Sequence, residues 1–342
     1  MHRPLRLTCS KQALASNWRS LAELAGVPAA AAIKANGYGL GAREVVQVLG
    51  QAGCRDFLVS TWWEAEELRD LVPADAVAVL HGVGPDDVPA AVASGSRPVL
   101  NSVAQVARWR ELAQDQSCDV MVDTGMNRLG LRMDEVAALD GLRIHTLHSH
   151  LACADEDDEL NSLQLKRFRE VASAVSAERY SLANSAGVYL GREFSFDLVR
   201  PGLALYGGIP RAEARGHIRQ VAALEAQIVQ RRTIRAGESC GYGATFRADR
   251  DTEAAVINIG YADGYWRGFS SIGAGEAAAR KFPVLGRVSM DLVVLNCDTL
   301  PSVADGDWVG VDFILEDAAE QSGMSQYELL TGLGRRFERA WY

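Results

Sequence analysis

The spacing of apolar positions changes once along the chain. From residue 29 to residue 199, short apolar runs alternate with amphipathic stretches. From about residue 217 to 313, runs of alternating character follow one another, separated by glycine and proline turns. In the first region, runs at 29–33, 57–60, 76–80, 98–100, 118–122, 142–151, 180–183 and 196–199 predict strands. Five apolar residues in a row, as at 29–33, are too few for a typical helix and suit a buried strand. Helical patterns lie between most of them, for example at 42–49, 63–69 and 103–112, and a strand at 5–9 and a helix at 10–25 precede them.

Strands that alternate with helices imply a parallel sheet, and eight of them is the number that closes a (β/α)8 barrel. An open doubly wound sheet is the rival, and it would carry a G-x-G-x-x-G turn after its first strand. Asn36-Gly37-Tyr38-Gly39-Leu40-Gly41 lacks that spacing. The second region predicts strands at 221–229, 254–259, 282–288, 292–296 and 308–313, closed by a helical segment at 326–339. The expected fold is α/β: a TIM-type barrel over 1–216 and a mainly β domain over 217–342, with the N-terminal strand able to join the second domain.

Composition narrows the function. The 342 residues are 48% hydrophobic, enough for full cores. The net charge of −9 is spread along the chain, and the arginine pairs Arg231-Arg232 and Arg335-Arg336 are not basic tracts, which argues against nucleic acid. Six cysteines without a C-x-x-C pair argue against structural zinc and a disulfide framework and favour a reducing compartment. Arg3, Arg6, Lys11 and Arg19 interrupt any signal-peptide core, and no apolar run approaches ~20 residues, so a cytoplasmic protein with no membrane partner is expected.

Barrel enzymes build their sites at the C-terminal strand ends. Those ends carry Lys34, the segment Asp123 to Arg128, His148-Ser149-His150, Asn184-Ser185 and Arg200-Pro201-Gly202. A lysine leaving a buried strand has a lowered pKa, which imine chemistry requires. Each residue alone has a plain alternative: Lys34 a surface lysine, Arg128 or Arg200 a rim ion pair, Ser185 a helix cap. Their convergence on one rim is what gives them weight. His145, His148 and His150 have no carboxylate or cysteine at a convincing metal-ligand spacing, so no metal is expected. Pro201-Gly202-Leu203, after the eighth strand, lies where barrels bind phosphate. An imine-forming lysine beside a phosphate site points to pyridoxal phosphate, an electron sink for carbanions next to nitrogen.

Eight segments then carry a resemblance. They are residues 32–39, 122–130, 150–155, 183–186, 199–207, 241–245, 259–264 and 286–291, including Gly260-Tyr261-Ala262-Asp263-Gly264 and Gly286-Arg287-Val288-Ser289-Met290-Asp291. Over nearly its whole length the chain resembles bacterial alanine racemase. The resemblance implies a homodimer of a pyridoxal-phosphate barrel plus a β-domain, each active site completed by the partner's β-domain. It implies that Lys34 holds the cofactor and is one catalytic base, and that Tyr261 of the other subunit is the opposing base. Arg200 would contact the pyridine nitrogen with His150 behind it. Tyr38, Ser185, Gly202 and Leu203 would hold the phosphate, and Arg128 and Met290 would contact substrate. The activity implied is interconversion of L- and D-alanine, supplying D-alanine for peptidoglycan.

Two positions depart from the family pattern. Many members carry a lysine, often carbamylated, shortly before the Arg128 equivalent, and here Met121 occupies it. A phosphate-contacting tyrosine near the C-terminus aligns with Arg335. Three alternatives accompany the main reading: a racemase of broader range, a decarboxylase of the same barrel type, and a non-catalytic pyridoxal-phosphate carrier. Tyr261 in its motif speaks against the decarboxylase, and the second domain speaks against the carrier.

Overall fold

The computed structural model describes residues 2–113, 116–300 and 302–342. The chain forms two compact units, Ala13–Arg219 and, separately, the segment up to Gln12 together with Gln220–Tyr342.

The first unit is a parallel barrel. Before it, β1 (Leu5–Cys9) belongs to the other unit. The barrel strands are β2 (Ala31–Ala32), β3 (Phe57–Val59), β4 (Val77–Val79), β5 (Arg97–Leu100), β6 (Cys118–Met121), β7 (Ile144–His148) and β8 (Arg179–Ser181), hydrogen-bonded in sequence order. The eighth position is filled by the extended chain around Val199. On one side Asp197 N donates to Tyr180 O (3.0 Å) and Arg200 N to Ala183 O (2.9 Å). On the other, Ala30 N donates to Val199 O (2.8 Å), Val199 N to Pro28 O (3.1 Å) and Ala32 N to Pro201 O (2.9 Å). The ladder is short because Pro28 and Pro201 flank it and have no N–H to give. Side chains alternate along each strand, so Ala30, Leu58, Ala78, Val99, Met121 and Leu198 meet in one buried cluster.

The outer helices follow the apolar periodicity: Lys11–Ala25, Ala42–Ala52, Trp62–Glu66, Val88–Ser94, Val103–Leu112 and Glu159–Ala174. Ser102 and Asp158 cap two of them by accepting the amides of Gln105 and Leu160.

The second unit is organised on β9 (Ala222–Ile234), which pairs antiparallel with β1, with β12 (Thr252–Ile257) and with β16 (Trp308–Val311). A small ribbon, β10 (Ser239–Cys240) with β11 (Phe246–Arg247), stands apart from that sheet. β15 (Val293–Asn296) pairs with β12, and β13 (Ala274–Ala277) and β14 (Arg280–Pro283) form a hairpin beside β16. Ala278 and Ala279 turn that hairpin with φ of 49° and 58°.

The expected C-terminal helix is corrected. It stops at Thr331, and Glu338–Trp341 is a strand, β17, lying parallel to β1. Gly332-Leu333-Gly334 interrupts the helix, and beyond it exposed and half-buried positions alternate, the period of a strand. Among the described residues no helix is long and apolar enough to cross a membrane, and no three His, Cys, Asp or Glu residues gather as a metal site.

Candidate active site

The barrel unit brings most of the expected residues to one end of the strands. Lys34 follows β2, where Ile33 N still donates to Leu58 O (2.9 Å). Ala35, Asn36, Gly37 and Tyr38 then all adopt left-handed backbone, with φ of 54°, 54°, 61° and 53°. Only one of the four is glycine; asparagine tolerates the region, but Ala35 and Tyr38 each cost about 1–2 kcal/mol there. Three contacts hold the turn: Asn36 Oδ1 accepts Ala42 N (3.0 Å), Gly37 N donates to Ile33 O (2.8 Å), and Ala35 N donates to Glu64 Oε1 (2.6 Å). Backbone strain of this kind gathers at functional sites.

Glu64 is a residue that sequence reasoning missed. Its other oxygen accepts the amides of Ser60 (2.7 Å) and Thr61 (3.2 Å), so one carboxylate ties the end of β3 to the residue after Lys34. Burial lowers the Lys34 pKa first and the Arg128 guanidinium lowers it further, while Glu64 opposes both.

A second set of polar contacts lies at the same end of the barrel strands. Ser185 Oγ accepts Gly202 N (2.8 Å) and Ala204 N (3.2 Å), where the helical turn Leu203–Tyr206 begins. The Tyr38 ring stacks on Tyr206 at 4.6 Å, and Tyr206 donates to Ala32 O (2.9 Å). Tyr38, Ser185, Gly202 and Leu203 thus occupy one region, with hydroxyls and turn amides suited to an anion.

Arg200 is buried beside it and, among the described residues, is held by neutral acceptors: Ser181 Oγ, Ser149 O (2.5 Å) and Leu182 O (3.4 Å). Ser181 donates its own O–H to Leu198 O (2.5 Å), so it meets the guanidinium with a lone pair. Burial pulls the Arg200 pKa down to about 10, which leaves it cationic at neutral pH, and Asp119 opposes the shift. His150 is half-buried, and burial with the nearby Arg200, Arg128 and Lys34 charges pushes its pKa to about 3. Deeper in the barrel, His148 Nε2 donates to Asp119 Oδ2 (3.1 Å) while Arg97 Nε and Thr146 N donate to Asp119 Oδ1.

Arg128 sits on an exposed loop and has no hydrogen bond or ion pair among the described residues. Met121 points into the apolar barrel core, where it offers Arg128 no charge. The loop is fastened instead by its backbone: Leu131 N donates to Met121 O (2.9 Å) and Asp123 N to Leu131 O (2.8 Å).

Tyr261 and Met290 belong to the other unit. Tyr261 opens the turn Tyr261–Asp263; its N–H donates to Ser289 O (3.1 Å), and Ala262 N donates to Met290 O (3.0 Å). The Arg267 guanidinium lies 5.5 Å from the Tyr261 ring centroid. Met290 is 53% exposed, which leaves its side chain open to a ligand or a second chain.

Known proteins are similar to both parts. Residues 9–210 match the family model for the alanine racemase N-terminal domain, and residues 221–341 match that for the C-terminal domain. A catabolic alanine racemase of Agrobacterium fabrum is 42% identical over 98% of this chain and 91% of its own length. The alanine racemase of Acidiphilium cryptum is 42% identical over 97% of each. Among solved structures, the alanine racemase of Bartonella henselae with covalently bound pyridoxal phosphate superposes with a TM-score of 0.93 at 34% identity, covering 100% of both chains. The biosynthetic alanine racemase of Pseudomonas aeruginosa gives 0.90 at 31% identity, again over 100% of both.

Proposed function

The chain belongs to the alanine racemase family, and from that premise we propose that it interconverts L-alanine and D-alanine with pyridoxal phosphate by two-base proton transfer. The observation that carries the reading is the barrel rim, where Lys34, made less basic by burial, lies at the same end of the strands as the Ser185–Gly202 contact and the buried Arg200.

The residues fit the cofactor. Tyr38, Ser185, Gly202 and Leu203 would hold its phosphate, and Lys34 would be its covalent attachment point. Arg200 would meet the ring nitrogen with His150 behind it. When bound, pyridoxal phosphate supplies an electron sink beside the substrate nitrogen. A guanidinium does not give up its proton, so Arg200 would have none to lend the ring nitrogen it faces and would limit how much charge the bound cofactor takes up. This favours return of the proton over side reactions.

Racemisation needs a base on each face of the substrate α-carbon. Lys34 serves one face and Tyr261, from the partner subunit of a homodimer, serves the other. Lysine and tyrosine have unperturbed pKa values of ~10.4 and ~10, so each needs its surroundings to act near neutral pH. For Lys34 burial and Arg128 supply that push. Arg128 and Met290 contact the substrate, which an arginine recognises through its carboxylate. The product D-alanine would serve peptidoglycan synthesis in the cytoplasm.

The test is L-alanine with the purified holoenzyme in heavy water. Loss of optical rotation together with α-deuterium incorporation is the expected result. Rotation that persists while deuterium enters would contradict a two-base racemase.

A further inference from the structure

We propose that Arg336 is a positioning residue that aims Tyr261, by binding the Tyr261 turn and the Met290 loop through one guanidinium. The inference rests on the reading of Tyr261 as a proton-transfer base.

The geometry lies wholly within the second unit. Arg336 Nε donates to Asp263 Oδ1 (2.6 Å) and Nη2 to Asp263 Oδ2 (2.7 Å), a two-pronged contact with a carboxylate that is fully buried. Its third arm, Nη1, donates to Asp291 Oδ1 (2.7 Å). Asp263 is two residues from Tyr261, and Asp291 is the neighbour of Met290. Asp263 also turns inward to accept Gly260 N (3.1 Å), the amide immediately before Tyr261. The guanidinium therefore fixes both ends of the turn that carries the phenol.

The surroundings leave the turn little alternative. A Cβ on Gly260 would lie 2.3 Å from Met290 O, one on Gly264 2.6 Å from Gly332 O, and one on Gly334 2.9 Å from Ala262 O. The turn is wedged between two loops, and the charge at its base is met by Arg336. Only a planar fork reaches both Asp263 oxygens and Asp291 together; a lysine ammonium is a single point. Without the fork, Asp263 is a buried carboxylate with one backbone donor, a costly arrangement that relaxes by protonation or by movement of the turn.

The experiment compares wild-type holoenzyme with Arg336→Gln, Arg336→Lys and Tyr261→Phe. Each is given α-deuterated L-alanine and α-deuterated D-alanine, and initial release of the label is measured for both. Misplacing a reacting group by about 1 Å costs up to ~100-fold. Arg336→Gln should lower release from the enantiomer that faces the tyrosine by tenfold or more, with a much smaller change for the other. The ratio should move in the same direction as in Tyr261→Phe, and Arg336→Lys should fall between; if the glutamine variant does not fold, the lysine variant carries the test. Equal losses for both enantiomers, or no loss, would overturn the role of Arg336. A ratio unmoved in Tyr261→Phe itself would instead overturn the reading on which the inference stands.

Discussion

Gly202 and Tyr38 approach more closely than any side chain at 202 allows: a Cβ there would sit 2.3 Å from the Tyr38 oxygen and 3.0 Å from Cζ. The same glycine gives its amide to Ser185 Oγ at 2.8 Å. One position thus supplies an amide to Ser185 and the empty space into which the phenol fits.

Gly202→Ala should therefore displace Tyr38 and separate it from Tyr206, while the rest of the barrel stays folded. Overpacking of this kind costs about 1–3 kcal/mol. Expressed in cofactor binding, that is a rise of about 5- to 150-fold in the dissociation constant of pyridoxal phosphate, with the melting temperature of the cofactor-free protein changed far less. Cofactor titration followed by absorbance checks it, and unchanged affinity would remove Tyr38 from the proposed phosphate site.

Glu64→Gln tests the other side of Lys34. The substitution keeps the shape but turns one of the two oxygens that accept the Ala35, Ser60 and Thr61 amides into an NH2 donor, at a cost of about 1–2 kcal/mol in stability. It also removes the one nearby negative charge that raises the Lys34 pKa. The Lys34 amine should then become still less basic and react faster with an amine-directed reagent at neutral pH in the cofactor-free enzyme. Slower reaction would contradict the assigned sign.

Stability should depend on pH through His148. Its folded pKa is lowered to about 4 by burial first and by the Arg200 and Arg97 charges, against the pull of Asp119. Above the unfolded pKa of ~6.5 both states are neutral and the term is flat. Between 6.5 and about 4 the unfolded chain takes up a proton that the folded one refuses, so stability falls as pH falls. The loss amounts to on the order of 2–3 kcal/mol for this group. Chemical denaturation from pH 8 to 4 should show this slope, and His148→Gln should make it shallower, with His150, also lowered by burial, supplying part of the remainder; a slope unchanged in the variant would contradict the account.

Much of the barrel is legible in the residues because each strand is a short apolar run and each helix an amphipathic one. Lys34, Ser185 and Arg200 stand out as polar residues at the ends of such runs. Glu64 is hidden because Thr61 and Glu64 read as an ordinary helix start, and they do form that capping box; nothing local says that the carboxylate also reaches Ala35. The Asp119–His148 pair joins neighbouring strands, and Arg336 joins two loops 73 and 45 positions away. Such contacts leave no periodic trace. β17 went unread because it pairs parallel with β1 from the far end of the chain, and β13 because Ala and Gly give no alternation.

In the proposed function, Lys34 of one subunit and Tyr261 of its partner make one active site. The direct measurement is the activity of a hybrid dimer, purified through two different tags, with Lys34→Ala on one chain and Tyr261→Phe on the other. Each parent homodimer has no site with both bases. In the hybrid, one site keeps both bases and the other lacks both, so racemisation should recover to about half of wild type by symmetry. A hybrid no more active than its parents would contradict the shared site.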